Sequence, residues 1–286
     1  MAVFKRVWRL QIEINGNIKT FQELDFNQKS LKIDFNIKNG IGGAFSNGDI
    51  TIYNLNQNDM QFLSTCYNYS NGNFKKNKIS LEAGYRDNFG VLINGNINEA
   101  DANFESVDKS INLKITGGIQ NNLTNNSIQT SLNGNIDFKI ICEECAKKNG
   151  LSIDYGKDIG KRVITDFSFL GSPYQYIEKL REFFKDLDIF IDNIGASLKV
   201  QKKNSNSINR KVLSRETGLI GKPKPTWIGC NVKSLLNPSL KAGGYIDLKN
   251  EVLKDFDGRY RINEINHKGS NMGDLWESEL ILQRSK

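Results

Sequence analysis

Apolar and polar residues alternate strictly in run after run of this chain, and residue pairs that bend the backbone end each run. A period of two places one face of a strand in a core and the other in water, which no helix can do with the same residues. Trp8, Leu10, Ile12 and Ile14 alternate with Val7, Arg9, Gln11 and Glu13, and Asn15-Gly16 supplies the hairpin turn into residues 18–21. Leu31, Ile33, Phe35 and Ile37 point one way while Lys32, Asp34 and Asn36 point the other. Residues 39–48 read as a Gly-rich loop and 49–55 as the next strand. Residues 79–85 and 91–97 pair across 86–90, and 110–116 closes this first, strand-rich segment. The one break in the pattern is a short helix at 56–65, with Met60 and Leu63 on its apolar side.

The middle of the chain changes period. Asp137 is placed to cap a helix running to Asn149, with Gly150 as its stop. Ser172-Pro173-x-Gln175 has the cap, the first-turn proline and the return partner of a capping box. The helix it opens buries Tyr176, Ile177, Leu180, Phe183, Phe184 and Leu187. With strands at 151–155, 163–169, 188–193 and 197–201, the order is β, α, β, β, α, β, β, a small α+β unit. Residues 202–209 form a polar linker.

Composition removes several classes of function. The 286 residues are 38% apolar with 16 Phe, which is globular composition. The net charge of +7 comes from scattered lysines, densest at Lys75, Lys76 and Lys78, and reads as a solvated surface rather than a nucleic-acid groove. The N-terminus has no continuous apolar run or cleavage site, and no stretch reaches the roughly 20 apolar residues of a membrane span. His267 is the only histidine, which excludes multi-histidine metal sites, and it reads as a surface loop residue after the strand 259–266. Cys142 and Cys145 fall inside a helix on its apolar stripe, and Cys66 and Cys230 stand alone, so all four read as buried free thiols. The glycines at 42, 43 and 48 have no Lys-Ser/Thr after them, which argues against a phosphate loop. Glu13, Glu99 and Glu264 are acids within strand patterns, and a pair of carboxylates from distant strands leaves no spacing signature.

The last segment contains ETGLIGKPKPTWIGCNVKSLLNPSLKAGGYIDLKN. Pro223 and Pro225 each remove a backbone donor, so 218–225 reads as an extended connector rather than a central strand. Residues 226–232 read as a strand, Asn237-Pro238 and Gly243-Gly244 as turns, 245–248 as a strand, and Asp257-Gly258 as a hairpin turn into 259–266. This ordering resembles the closing segment of tail baseplate hub proteins of contractile-tailed bacteriophages and of related prophage and bacteriocin particles. The run IYNLN, a short helix, then LEAGYRDNFGVLINGNI is a second stretch similar to that family. The resemblance covers the first and last segments, and the middle only in its α+β order.

The resemblance implies a mainly β protein with an α+β middle. Two small β-barrel-like tube domains, at residues 1–119 and 205–286, would flank an α+β unit at 120–204. It further implies a structural, non-enzymatic hub without cofactor or metal. Three copies would form a ring of pseudo-sixfold symmetry that joins tail tube to central spike and encloses a channel. The expected partners are the chain itself as a homotrimer, the tail tube protein, the central spike protein and possible contacts to wedge and tape-measure proteins. DNA would pass through the channel without specific binding. The expected location is the virion tail baseplate, after synthesis in the host cytoplasm. A carbohydrate-binding β-module using Tyr67, Tyr69, Phe74 and Trp227, a cell-wall glycoside hydrolase, and the hub half of a secretion-system spike stay open as other readings.

Residues in conspicuous turns are the candidates for assembly contacts: Lys222, Pro223, Pro225, Trp227, Leu235, Leu236, Asn237, Pro238, Gly243 and Gly244, then Gly42, Gly43 and Gly48. An internal echo accompanies them. Residues 96–100 (NINEA) resemble 261–265 (RINEI), and each is followed by a polar loop and a terminal strand. That echo is what a chain with two similar barrels would carry.

Overall fold

The computed structural model describes residues 5–24, 31–41, 46–64, 69–70, 73–74, 77–105, 107–119, 123, 126–157, 159–203 and 210–285. The first segment contains β1 (Arg6–Ile14), β2 (Asn17–Glu23), β3 (Ile33–Gly40), β4 (Asn47–Tyr53) and helix α1 (Gln57–Ser64). The short β5 (Tyr69–Ser70) and β6 (Asn73–Phe74) follow, then β7 (Lys78–Tyr85), β8 (Asn88–Asn103) and β9 (Ser110–Gly117). Asn15 and Gly16 both take positive φ, 51° and 84°, so the β1–β2 hairpin closes on the two-residue turn its sequence calls for. Met60 and Leu63 anchor α1 in the core, as their spacing predicts. The glycine-rich connection is shorter than expected, because β3 runs through Gly40 and β4 begins at Asn47. Gly48 is therefore a buried strand residue against Ile37, not a loop residue.

The middle segment contains β10 (Ile128–Asp137), α2 (Phe138–Asn149), β11 (Ser152–Tyr155), β12 (Val163–Gly171), α3 (Pro173–Phe183), β13 (Leu187–Asp192) and β14 (Ser197–Lys202). Asp137 caps α2 by accepting from the Lys139 N–H, and Gly150 ends it at φ 66°. The Ser172–Gln175 capping box forms at α3. Phe183 departs from the expected buried stripe: it is 50% exposed, because the helix ends there and the chain turns into β13. Strand β10 pairs with β12, and β14 lies between β11 and β13.

The last segment contains β15 (Lys211–Leu213), β16 (Leu219–Pro225), β17 (Gly229–Leu235), β18 (Tyr245–Leu248), β19 (Gly258–Ser270) and β20 (Trp276–Arg284). Gly218 ends the preceding turn at φ 104°, and Leu219–Pro225 form not a connector but an edge strand, bonded to β17 alone among described strands. The strand expected at 226–232 begins three residues later. Thr226 and Gly229 exchange backbone hydrogen bonds and make residues 226–229 a tight turn. Asp257-Gly258 is not a hairpin turn either: Leu248 pairs with Gly258 across a longer loop containing a 3-10 turn at Lys254–Phe256.

Strands of the first and last segments belong to one sheet. Its order is β16-β17-β20-β19-β3-β4-β9-β8-β7-β1-β2, with β18 on β19 and β15 on β18. The join is the antiparallel pairing of β19 with β3, from Glu264↔Gly40 to Ser270↔Asp34. Three apolar clusters lie under this sheet and within the middle unit. Leu236 and Trp276, late in the sequence, are buried in the first cluster among residues of β1 to β9.

Candidate assembly surface

The internal echo corresponds to a repeated piece of geometry. In β8 the pairing with β9 passes from Ile97↔Ile115 to Glu99↔Lys114, leaving Asn98 as the extra residue of a β-bulge. In β19 the pairing with β20 passes from Ile262↔Leu282 to Glu264↔Ile281, leaving Asn263 in the same role. A bulge reverses which residues face the core, so its position fixes the design of the whole strand. Working outward from the two bulges, β3, β4, β9 and β8 correspond in order to β16, β17, β20 and β19.

The seam between the two units is specific. Lys38 on β3 and Glu264 on β19 form an ion pair at 3.0 Å. Phe35 lies over Gly269, where a Cβ would strike its ring. Asn39 is buried beside the seam and donates to the Leu92 carbonyl at 3.0 Å. His267 is also here, 1% exposed within β19, which corrects its reading as a surface loop residue. Strand β19 continues past residue 266 because it has a neighbour on both sides, β20 and β3, and that encloses His267. Its Nδ1 is 2.8 Å from the Ser278 Oγ, which itself accepts from the Asn237 N–H at 3.1 Å. The imidazole and the Ser278 hydroxyl share a hydrogen bond inside the sheet, and burial favours the neutral ring. Burial pushes its pKa down to about 3.

The Leu235–Pro238 turn clamps the two units within one chain. Leu236 is buried, and its N–H donates to the Trp276 carbonyl at 3.1 Å. Trp276 in turn donates its indole N–H to the Gly84 carbonyl at 3.2 Å. Asn88 donates to the Asn237 side-chain oxygen at 2.9 Å, and Pro238 packs on Gly90, where a Cβ would lie 3.4 Å away. Gly243, at φ 85°, lies under the Phe190 ring, and Gly244 accepts from the Ile262 N–H, so this turn is where the middle unit docks. Beside it Asp188, with a 2% exposed side chain, pairs with Arg261 and accepts from the Tyr245 hydroxyl at 3.3 Å. Arg261 opens the echo at 261–265, but no sequence signal marked it or Asp188 as partners. Their partnership joins residues 73 positions apart on separate strands, which no local pattern reports.

Of the candidate residues, Leu235 to Pro238, Gly243, Gly244 and Gly48 are thus used between elements of one chain. Lys222, Pro225 and Trp227 are exposed and cluster on β16 and its turn, with Pro223 buried between them; Trp227 is 95% exposed. Gly42, Gly43, Cys66 and Tyr67 lie outside the described residues, as do the side chains of Tyr69 and Phe74.

The sheet face turned away from the core is polar and ion-paired. Lys233 meets Glu277 and Glu279, both at 2.8 Å, and Lys268 meets Glu279 at 2.6 Å. Lys114 meets Glu99 at 2.6 Å, continuing the pattern in the other unit. The acids singled out in strands are all in such pairs: Glu13 with Lys78, Glu99 with Lys114 and Glu264 with Lys38. Cys142, Cys145 and Cys230 are buried free thiols, and burial pushes Cys145 up to about 12 and Cys230 up to about 11. Among the described residues no group of three or more His, Cys, Asp or Glu is placed to hold a metal ion. No helix among them is long and apolar enough to cross a membrane.

The fold is that of phage-type tail proteins. The chain matches a 43 kDa tail protein of prophage MuSo2 from Shewanella oneidensis with a TM-score of 0.63 at 11% identity, over 96% of both chains. A tail protein from Neisseria meningitidis matches with a TM-score of 0.63 at 8% identity, over 97% of this chain and 96% of that one. An Escherichia coli component of the type VI secretion system, itself described as structurally similar to T4 bacteriophage tail proteins gp27 and gp5, matches with a TM-score of 0.59. That match has 9% identity and covers 96% of this chain and 77% of the other. No curated protein sequence matches the chain. Residues 9–275 match the family described as baseplate hub gp41, and the chain belongs to that family. It is a structural component of a phage-type tail baseplate.

Proposed function

We propose that three copies of this chain close into a ring that joins a tail tube to a central spike, acting by symmetry rather than by chemistry. The observation that carries the reading is the repeated unit: one chain presents the same four-strand design twice, with matching bulges at Asn98 and Asn263. Three chains then offer a sixfold-like surface to a tube and keep threefold symmetry for a spike. Continued around a ring, units of this size give about 24 strands in one closed sheet, more than the strands that already enclose water-filled channels in porins. The polar sheet face lines that channel. On it Asp34, Asp49, Glu99, Asp101, Glu264, Glu277 and Glu279 balance Lys32, Lys38, Lys114, Lys222, Lys224, Lys233 and Lys268, although the chain as a whole is +7. A wall whose charges balance offers a polyanion no basic groove, so DNA passes without being held. The middle unit, docked through Asp188 and Arg261, lies outside the ring, and the tube and spike proteins occupy its two rims.

Light scattering on the purified chain tests the reading. The expected mass is three times the 32.4 kDa of one chain. A monomer at every concentration, with tube and spike proteins also present, contradicts it.

A further inference from the structure

The two units have unequal edges. Within one chain, β19 of the second unit receives β3 of the first along residues 264–270. The corresponding stretch of β8, residues 99–103, pairs with β9 on one side and with no described strand on the other, because β7 stops pairing at Asn96. The strand corresponding to β3 is β16, which has β17 on one side and no described strand on the other. We infer that β16 of one copy docks against residues 99–103 of β8 in the next copy, repeating between chains the β3–β19 seam seen within one. This rests on the ring reading above and specifies the contact that closes it.

Carrying the internal register across the bulges gives the pairing. Asn36↔Lys268 becomes Lys224↔Asn103, and Lys38↔Asn266 becomes Thr226↔Asp101. The chemistry at these positions is complementary. The β8 edge and the loop after it carry Glu99, Asp101 and Glu105, while β16 carries Lys222 and Lys224, all exposed. Trp227 falls opposite Ala100, where the second unit has Ile265, so the small side chains of Ala100 and Ala102 leave space for the indole. The large-over-small contact of Phe35 on Gly269 is reversed, with the 52% exposed Phe104 facing the bulge at Gly221.

The prolines set the limits of this contact. The N–H of Thr226 bonds inward to β17, so Pro225 faces outward, where its missing donor is tolerated at an open edge. The Ala102 N–H can donate to the Pro225 carbonyl, but no bond returns. The docked edge is therefore weaker than the internal seam and leans on Trp227 and charge. The same prolines hinder β16 from forming a ladder with another β16.

In the internal seam the outward backbone bonds belong to residues such as Asn263, which accepts from the Ile41 N–H, so Asn36↔Lys268 is a non-hydrogen-bonded pair with closely spaced Cα atoms. The same spacing at Lys224↔Asn103 suits a disulfide. Within one chain these two positions lie at opposite ends of an eight-strand run of the sheet, so they cannot bridge intramolecularly. The double variant Asn103→Cys, Lys224→Cys, oxidised in the full chain, is expected to give covalent dimers and trimers that reductant removes. The variant Asn36→Cys, Lys268→Cys is the control, expected to form its bridge inside one chain. A ring of threefold mass without intermolecular bridging, alongside a bridged control, overturns this edge while leaving the ring intact. A chain that stays monomeric with tube and spike proteins added overturns both. As a second measurement, Asp101→Lys is expected to weaken the trimer about tenfold at low salt, and Lys224→Glu in the same chain to restore it. Equal trimerisation in all three forms contradicts the pairing.

Discussion

His267 illustrates how one side chain reports on the closure of the whole sheet. It is neutral because β3 covers it, and its Nδ1 is hydrogen-bonded to Ser278. In the unfolded chain a histidine binds its proton near its ordinary value of 6.5, whereas the folded protein does so only near 3. Between those two values the unfolded state holds more protons, so stability falls as pH drops from 6.5 towards 3 and is fully present above 6.5. Urea unfolding across that range should show a loss of a few kcal/mol, and His267→Gln should flatten this acid limb. An unchanged limb in the variant would place the acid sensitivity elsewhere. The sequence marks this residue poorly. The strand pattern runs out at Asn266 by local reading, and only a partner strand more than 200 positions away extends it.

At the scale of elements, what could be read from the sequence was whatever is encoded locally. The Asn15-Gly16 hairpin, the Asp137 and Ser172 caps and the alternation of β1 each depend on neighbours a few residues apart. That Pro223 and Pro225 exclude a central strand was legible for the same reason, but the connector expected there is an edge strand, because its pairing depends on β17. The echo at 96–100 and 261–265 was legible as a repeat, but its meaning as a paired β-bulge required the register with β9 and β20. Misplacement of β17 by three residues came from Trp227 and Ile228, whose apolar character suggested a strand when they form a turn. The docking of the middle unit was not legible, because Asp188, Tyr245 and Arg261 come from three separate strands. Removing one partner of that buried pair leaves the other uncompensated. Asp188→Asn should therefore cost about 3–5 kcal/mol in chemical denaturation. The double variant Asp188→Leu, Arg261→Met should recover much of the loss, and a double variant as unstable as the single would show that the ion pair is not the docking element.

For the molecule as a whole, the turns most conspicuous in the sequence divide into two groups. The Leu235–Pro238 and Gly243-Gly244 turns hold the chain's own units at a fixed relation to each other. The β16 edge with Lys222, Lys224 and Trp227 has no such use among the described residues, and is the edge proposed to meet the next copy. A chain whose two units are locked in one geometry can repeat that geometry between chains and close a ring, which is how a symmetry adapter works without an active site. Electron-microscopy class averages of the purified assembly, taken down its axis, test this most directly. The expected image is a threefold ring with six similar inner lobes around an open centre and three outer lobes from the α+β units. A closed dimer, an open filament or a ring with only three inner lobes would contradict it.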